Sequence, residues 1–230
     1  MINADGSPET RPYSGPVCSV HHPDVVERMV HLTIETLTQF EVDGLVWDEM
    51  KTMWNEFRNE ALVDHNPKAI EQFGKPAAGD VQRQATFDVF AECNRAARSQ
   101  KPDVRIVGFV YAYLEDDIVV PWSRIEGFDE IGPDGRPWYT DDFPGSHAKT
   151  ILSNAERFIN HANASGRRSF ALIETQLMKA EGGGMAVKRI DDVCAAGFDH
   201  LSVYYHPLVS EAEAEVTDEL AEALGAWRTG

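Results

Sequence analysis

Short apolar runs alternate with stretches of helical periodicity along most of this chain, and that alternation limits its fold more than any single motif. The runs lie at 45–48, 104–113, roughly 124–129, 169–174 and 200–205, with VRIVGFVYAYL the strongest strand signal among them. Between them, apolar residues recur at helical spacing over 24–40, 84–100, 146–164, 185–196 and 211–227. Val25, Val26, Met29, Leu32, Thr33 and Leu37 form the first such stripe, with Asp24 near its start, where an acid suits the helix dipole. Strands that read apolar throughout and alternate with helices imply an α/β fold with a parallel sheet covered on both sides. Two architectures meet that description. One is a partial or complete (β/α)8 TIM barrel with about five parallel strands in this chain, and the other is an open doubly wound α/β sheet. The expected organisation is an N-terminal loop segment over 1–20 followed by a single α/β domain over 21–230.

Composition narrows the function classes. The 38 acids outnumber the 21 bases, for a net charge of −17, so phosphate backbones are repelled and no nucleic-acid partner is expected. That balance fits a high-salt source as well as an ordinary acidic enzyme. No GxGxxG or GxxxxGK[ST] follows any of the runs, which argues against a nucleotide cofactor. Cys18, Cys93 and Cys194 are an odd, scattered set and read as free buried thiols, not as a disulfide framework. Adjacent His21 and His22 point apart in any extended segment, and with no HExxH spacing no metal is expected. The N-terminus is polar, no apolar run is long enough to cross a bilayer, and the expected location is the cytoplasm.

In parallel α/β folds, chemistry collects at the carboxyl ends of the strands. The run at 45–48 stops on Asp48 and Glu49, and Glu174 closes the run at 169–174. Glu115 and Asp116 follow the strongest strand, Asp129 follows the weak one, and Tyr204, Tyr205 and His206 close the last. Trp122 and Trp138 fall in the irregular stretch 115–145, together with the turn signal Gly132-Pro133-Asp134-Gly135. Acids and aromatics on one rim are what a sugar site needs. Carboxylates supply acid, base or nucleophile for glycosidic cleavage, and aromatic faces pack against pyranose rings. Asp48, Glu49 and Glu174 are therefore the catalytic candidates, and Trp122, Trp138, Tyr204, Tyr205 and His206 the substrate-binding ones. Each has a plainer reading as well: core or loop anchors for the tryptophans, helix-capping acids for Asp48, Glu49 and Glu174, and a turn former for Asp129.

The segment DGLVWDEM resembles the fourth-strand motif of TIM-barrel glycoside hydrolases and their uncharacterised relatives. The upstream NADGS and YSGPVCSVHHPDVVERMVHL are similar to the loop and helix that precede that strand there. The resemblance implies that this chain carries strands four to eight of a barrel, and that the remaining strands lie elsewhere. Self-association or a separate N-terminal barrel half would then cover the exposed sheet edge. It also implies a carbohydrate partner, with Asp48 or Glu49 as proton donor and Glu174 as nucleophile. Two departures stand out. An α-amylase-type fourth strand has Arg two residues before its Asp, where this chain has Val46. The retaining glycosidases with acids on strands four and seven carry Asn-Glu where this chain has Asp48-Glu49. A non-catalytic carbohydrate-binding or interaction module with the same architecture is the alternative to a hydrolase.

Overall fold

The fold is that of a computed structural model, which describes residues 1–11, 15–48, 54–55, 60–135, 150–174, 191–204 and 225, with backbone alone at 54–55, 60 and 204. The elements in chain order are β1 (Thr10–Arg11), β2 (Gly15–Pro16), α1 (Pro23–Gln39), β3 (Gly44–Trp47), β4 (Trp54–Asn55), β5 (Glu60–Ala61), α2 (Pro67–Phe73), α3 (Gly79–Gln100), β6 (Arg105–Tyr111), α4 (Asp116–Ser123), β7 (Glu130–Gly135), α5 (Ile151–Ala164), β8 (Arg168–Glu174) and β9 (His200–Tyr204). Residues 191–195 are helical as well, while the last expected helix, 211–227, lies outside the described residues apart from residue 225.

Five parallel strands form the main sheet in the order β3-β6-β7-β8-β9, which is also their order along the chain. A doubly wound sheet reverses its strand order at a switch point. Here nothing reverses, and the strands keep their chain order across the sheet. This is a singly wound α/β sheet, the arrangement of a partial (β/α)8 barrel, and not the doubly wound alternative. The two remaining pairs, β1 with β2 and β4 with β5, are antiparallel and two residues long.

The weak strand expected near 124–129 is displaced. Residues 116–123 form α4, and the strand begins at Glu130, so the GPDG segment read as a turn is strand interior. Tertiary packing overrides local preference at this point. Gly132 lies so close to β8 that an added Cβ would sit 1.4 Å from the Phe170 carbonyl oxygen, an approach open to glycine alone. Pro133 lacks an N–H, and ladder pairing with β8 is recorded at Glu130, Ile131, Asp134 and Gly135.

The chain groups into two compact units. The first comprises 1–45, 50–106 and 125–127. In it α1 packs against α3, whose buried stripe is Phe87, Phe90, Asn94 and Ala97. The N-terminal stretch is anchored, not loose. Asp64 is fully buried and accepts hydrogen bonds from the Ile2 and Asn66 amides and from the Ser19 hydroxyl. His21 meets the Gln82 side-chain oxygen at 2.7 Å and packs edge-on against Phe73. Of the three thiols, Cys93 is buried, and burial pushes it up from its ordinary value. Cys18 is exposed, contrary to expectation.

The second unit comprises 46–49, 107–124 and 128–230, and holds the carboxyl ends of the main strands. Here α5 packs on β7 and β8. Thr150 caps it, accepting from the Ser153 amide while its own amide donates to the Ser153 hydroxyl. Ile151, Ala155, Phe158 and Ala162 recur at helical spacing and are all buried. Their apolar stripe matches one face of the sheet, made of Val110, Ile131, Ala171 and Ile173. Gly108 on that face leaves room for the Phe128 ring, which packs against Trp122.

Candidate functional site

Parallel register decides which side chains share the other face. Val107 aligns with Glu130, which aligns with Arg168; one row on, Phe109 aligns with Gly132 and Phe170 with His200. The next row is Tyr111, Asp134, Leu172 and Ser202, and beyond it Glu174 aligns with Tyr204. Alternate residues of a strand point to opposite sides, so these rows all face away from α5. Observed contacts agree with that reading. Val107, Phe109, Phe170 and Leu172 pack as one cluster, and His200 reaches across to Glu130.

Polarity divides this face by depth. At the amino end of the strands, Glu130 is 1% exposed, with His200 Nδ1 at 2.6 Å and an Arg168 guanidinium nitrogen at 3.5 Å. Asp199 beside them accepts from the Ser169 amide and hydroxyl, and these hydrogen bonds hold its carboxyl below the ordinary value. At that end Glu130 is thus buried beneath two more exposed partners. The apolar cluster forms the middle. At the carboxyl end the face turns acidic again, with Asp134 on β7 and Glu174 on β8.

Asp48 belongs to the same face. The Arg105 amide donates to the Asp43 carbonyl, which in a parallel ladder sets Gly44 beside Arg105. Continuing the register places Val46 beside Val107, and Asp48 near the level of Phe109. Asp48 is exposed. The wall between β3 and β7 is aromatic: Tyr111 and Tyr113 stack at 5.0 Å with their planes 14° apart. Arg157 of α5 fastens this segment, donating to the carbonyls of Ala112 and Leu114.

The sequence-derived candidates fare unequally. Asp48 and Glu174 come to the same face of the second unit, Glu174 half-buried as the last residue of β8. Tyr204 is in β9 beside Glu174, its side chain outside the described residues. Glu49, Trp138, Tyr205 and His206 also lie outside them. Trp122 is a correction: it belongs to α4, is fully buried and packs at 5.9 Å against Phe128. An indole sealed in the core offers no face to a sugar. Glu115 is the N-cap position of α4. Asp116 is tied to Arg157 and His161, and Asp129 precedes β7 with its carbonyl accepting from the Arg168 amide.

Sequence reasoning missed Asp134, Tyr111 and Tyr113. Asp134 was hidden because Gly-Pro-Asp-Gly is the signature of a turn, and the two tyrosines were counted as strand body. Alternation along VRIVGFVYAYL places Tyr111 on the face of Phe109, a signal present in the sequence once the register is known. Among the described residues, no cluster of three or more His, Cys, Asp or Glu side chains is arranged to hold a metal ion. Likewise, no helix among them is long and apolar enough to cross a membrane.

No family model matches the chain, and no curated protein matches it. Among solved structures it is similar to Amy13B of Eubacterium rectale, at 12% identity and a TM-score of 0.49, over 84% of this chain and 35% of that one. The chain therefore spans about a third of that structure. It is also similar to 2,3-dimethylmalate lyase, a PEP mutase/isocitrate lyase superfamily member, at 11% identity and a TM-score of 0.42, over 93% of this chain and 86% of that one.

Proposed function

We propose that this chain carries a carbohydrate-cleaving site, with glycosidic bonds broken by carboxylates at the carboxyl ends of its parallel strands. One observation supports the reading above all: Asp134 and Glu174, from neighbouring strands, share one face of the sheet with Tyr111, and the register extended from β3 brings Asp48 to that face. Glycosidic cleavage needs one carboxyl group to protonate the departing oxygen and another to stabilise or attack the cationic carbon. Aromatic rings beside them offer the apolar C–H face of a pyranose a surface to pack against.

The test is a panel of 4-nitrophenyl glycosides together with reducing-end release from polysaccharides. Wild-type protein is expected to cleave at least one of them, and Glu174→Gln to lose about a thousandfold or more in kcat on substrates with poor leaving groups. Undiminished turnover by Glu174→Gln would remove Glu174 from the site. Binding of glycans without any cleavage would favour the non-catalytic module instead.

A further inference from the structure

We infer that Asp134 is the carboxylate that faces the reacting carbon of the sugar, and that Glu174 works as its proton-transferring partner. The inference rests on the glycoside-cleaving reading and assigns roles within it.

Three independent features single out Asp134. It is 3% exposed, yet it lies at the carboxyl end of the central strand, where a parallel sheet places its chemistry. It shares a row with Tyr111 and a face with Glu174. Its strand also violates local rules. Gly132, Pro133, Asp134 and Gly135 are all poor strand formers, and Gly135 has φ +151°, a conformation that side-chain-bearing residues rarely adopt. The close approach of β8 accounts for Gly132, but not for an acid at position 134.

Geometry suits a pair. Adjacent strands lie about 4.8 Å apart and two residues advance about 6.6 Å, so the Cα atoms of Asp134 and Glu174 are on the order of 8 Å apart. A Cα spacing of that size is compatible with the carboxyl separation of about 5–5.5 Å that double displacement uses. Asp134, short and held within a strand, is fixed by its burial. Glu174 is half-buried at the strand end, where water can reach it.

In the first step the Glu174 carboxyl proton passes to the glycosidic oxygen as the bond from that oxygen to the anomeric carbon breaks. An Asp134 oxygen bonds to the anomeric carbon, and the alcohol departs. In the second, the Glu174 carboxylate takes a proton from water, whose oxygen attacks the same carbon. The bond to Asp134 breaks, which restores both groups.

The experiment uses wild-type protein and 2,4-dinitrophenyl 2-deoxy-2-fluoro glycosides of the gluco, galacto, manno and xylo series. These trap the covalent intermediate, and peptide mass spectrometry locates it. A fluorosugar on Asp134 is the expected result. In parallel, Asp134→Asn is expected to lose about ten-thousandfold in kcat whatever the leaving group. Glu174→Gln should keep most of its kcat/KM on dinitrophenyl substrates, whose leaving group needs no proton, while its kcat falls because the second step has lost its base. An adduct on another carboxylate, or turnover with no adduct, overturns the role of Asp134 and leaves the hydrolase reading standing. Absence of turnover on any glycoside removes that reading, and with it the assignment. Because the trapping needs no substitution, it decides the matter even if Asp134→Asn fails to fold.

Discussion

Two glycines show how differently one residue type is constrained along this chain. Gly132 faces backbone: an added Cβ would meet the Phe170 carbonyl oxygen at 1.4 Å. Gly166 follows α5 at φ +71°, with nothing within 4 Å of such a Cβ. Gly132→Ala must push β7 and β8 apart and is expected to destabilise by more than about 3 kcal/mol. Gly166→Ala meets only the backbone penalty of the left-handed region, roughly 1–2 kcal/mol. Urea unfolding midpoints of the two variants check the contrast, and equal losses would mean that β7 and β8 do not approach as closely as described. The same closeness explains why Gly132 sits in a strand at all: its lack of a side chain is what allows β8 to pack there.

Among the elements, α4 and α5 are joined by a polar clamp beside the candidate site. Arg157 and His161 of α5 both reach one Asp116 oxygen of α4, at 3.0 and 2.9 Å. The hydrogen bond from His161 is the main cause that holds the Asp116 carboxyl below its ordinary 3.8; Arg157 adds to it and partial burial opposes it. A carboxyl lowered in the folded state stabilises the fold above its unfolded value, and that stability is lost as pH falls through the lowered folded value. The window therefore lies at and below about pH 4. Asp116 is 56% exposed, so solvent screens the pair and Asp116→Asn is expected to cost less than about 1 kcal/mol at neutral pH. Melting curves between acid and neutral pH should show a shallower acid-side decline for that variant. An unchanged decline would mean that the clamp does not contribute. Arg157 does more than pair with Asp116, because its bonds to the Ala112 and Leu114 carbonyls fix the backbone that carries Tyr113.

For the whole molecule, charge is the dominant long-range term. A net charge of −17 over 230 residues repels itself most strongly at low ionic strength. The melting temperature is therefore expected to rise between about 10 mM and about 1 M NaCl, as the screening length shrinks from about 30 to about 3 Å. Calorimetry across that range checks it. A flat or falling profile would show that the acids are locally compensated, as Glu130 is by Arg168.

Much of the architecture was legible from periodicity alone. The apolar runs at 45–48, 104–113, 169–174 and 200–205 correspond to β3, β6, β8 and β9, and the stripe of α1 was read almost to its ends. Burial writes itself into a sequence as a repeat of two or of about 3.6 residues, and those repeats need no knowledge of the partner. Asp48 and Glu174 were chosen as candidates the same way, as acids where an apolar run stops. Two things needed the tertiary structure. The strand at Glu130–Gly135 exists because its neighbours pair with it on either side, against the preference of its own residues. Asp134, Tyr111 and Glu174 share a face because the register between strands places them there. Register is a relation between distant segments, so no local pattern could have announced it.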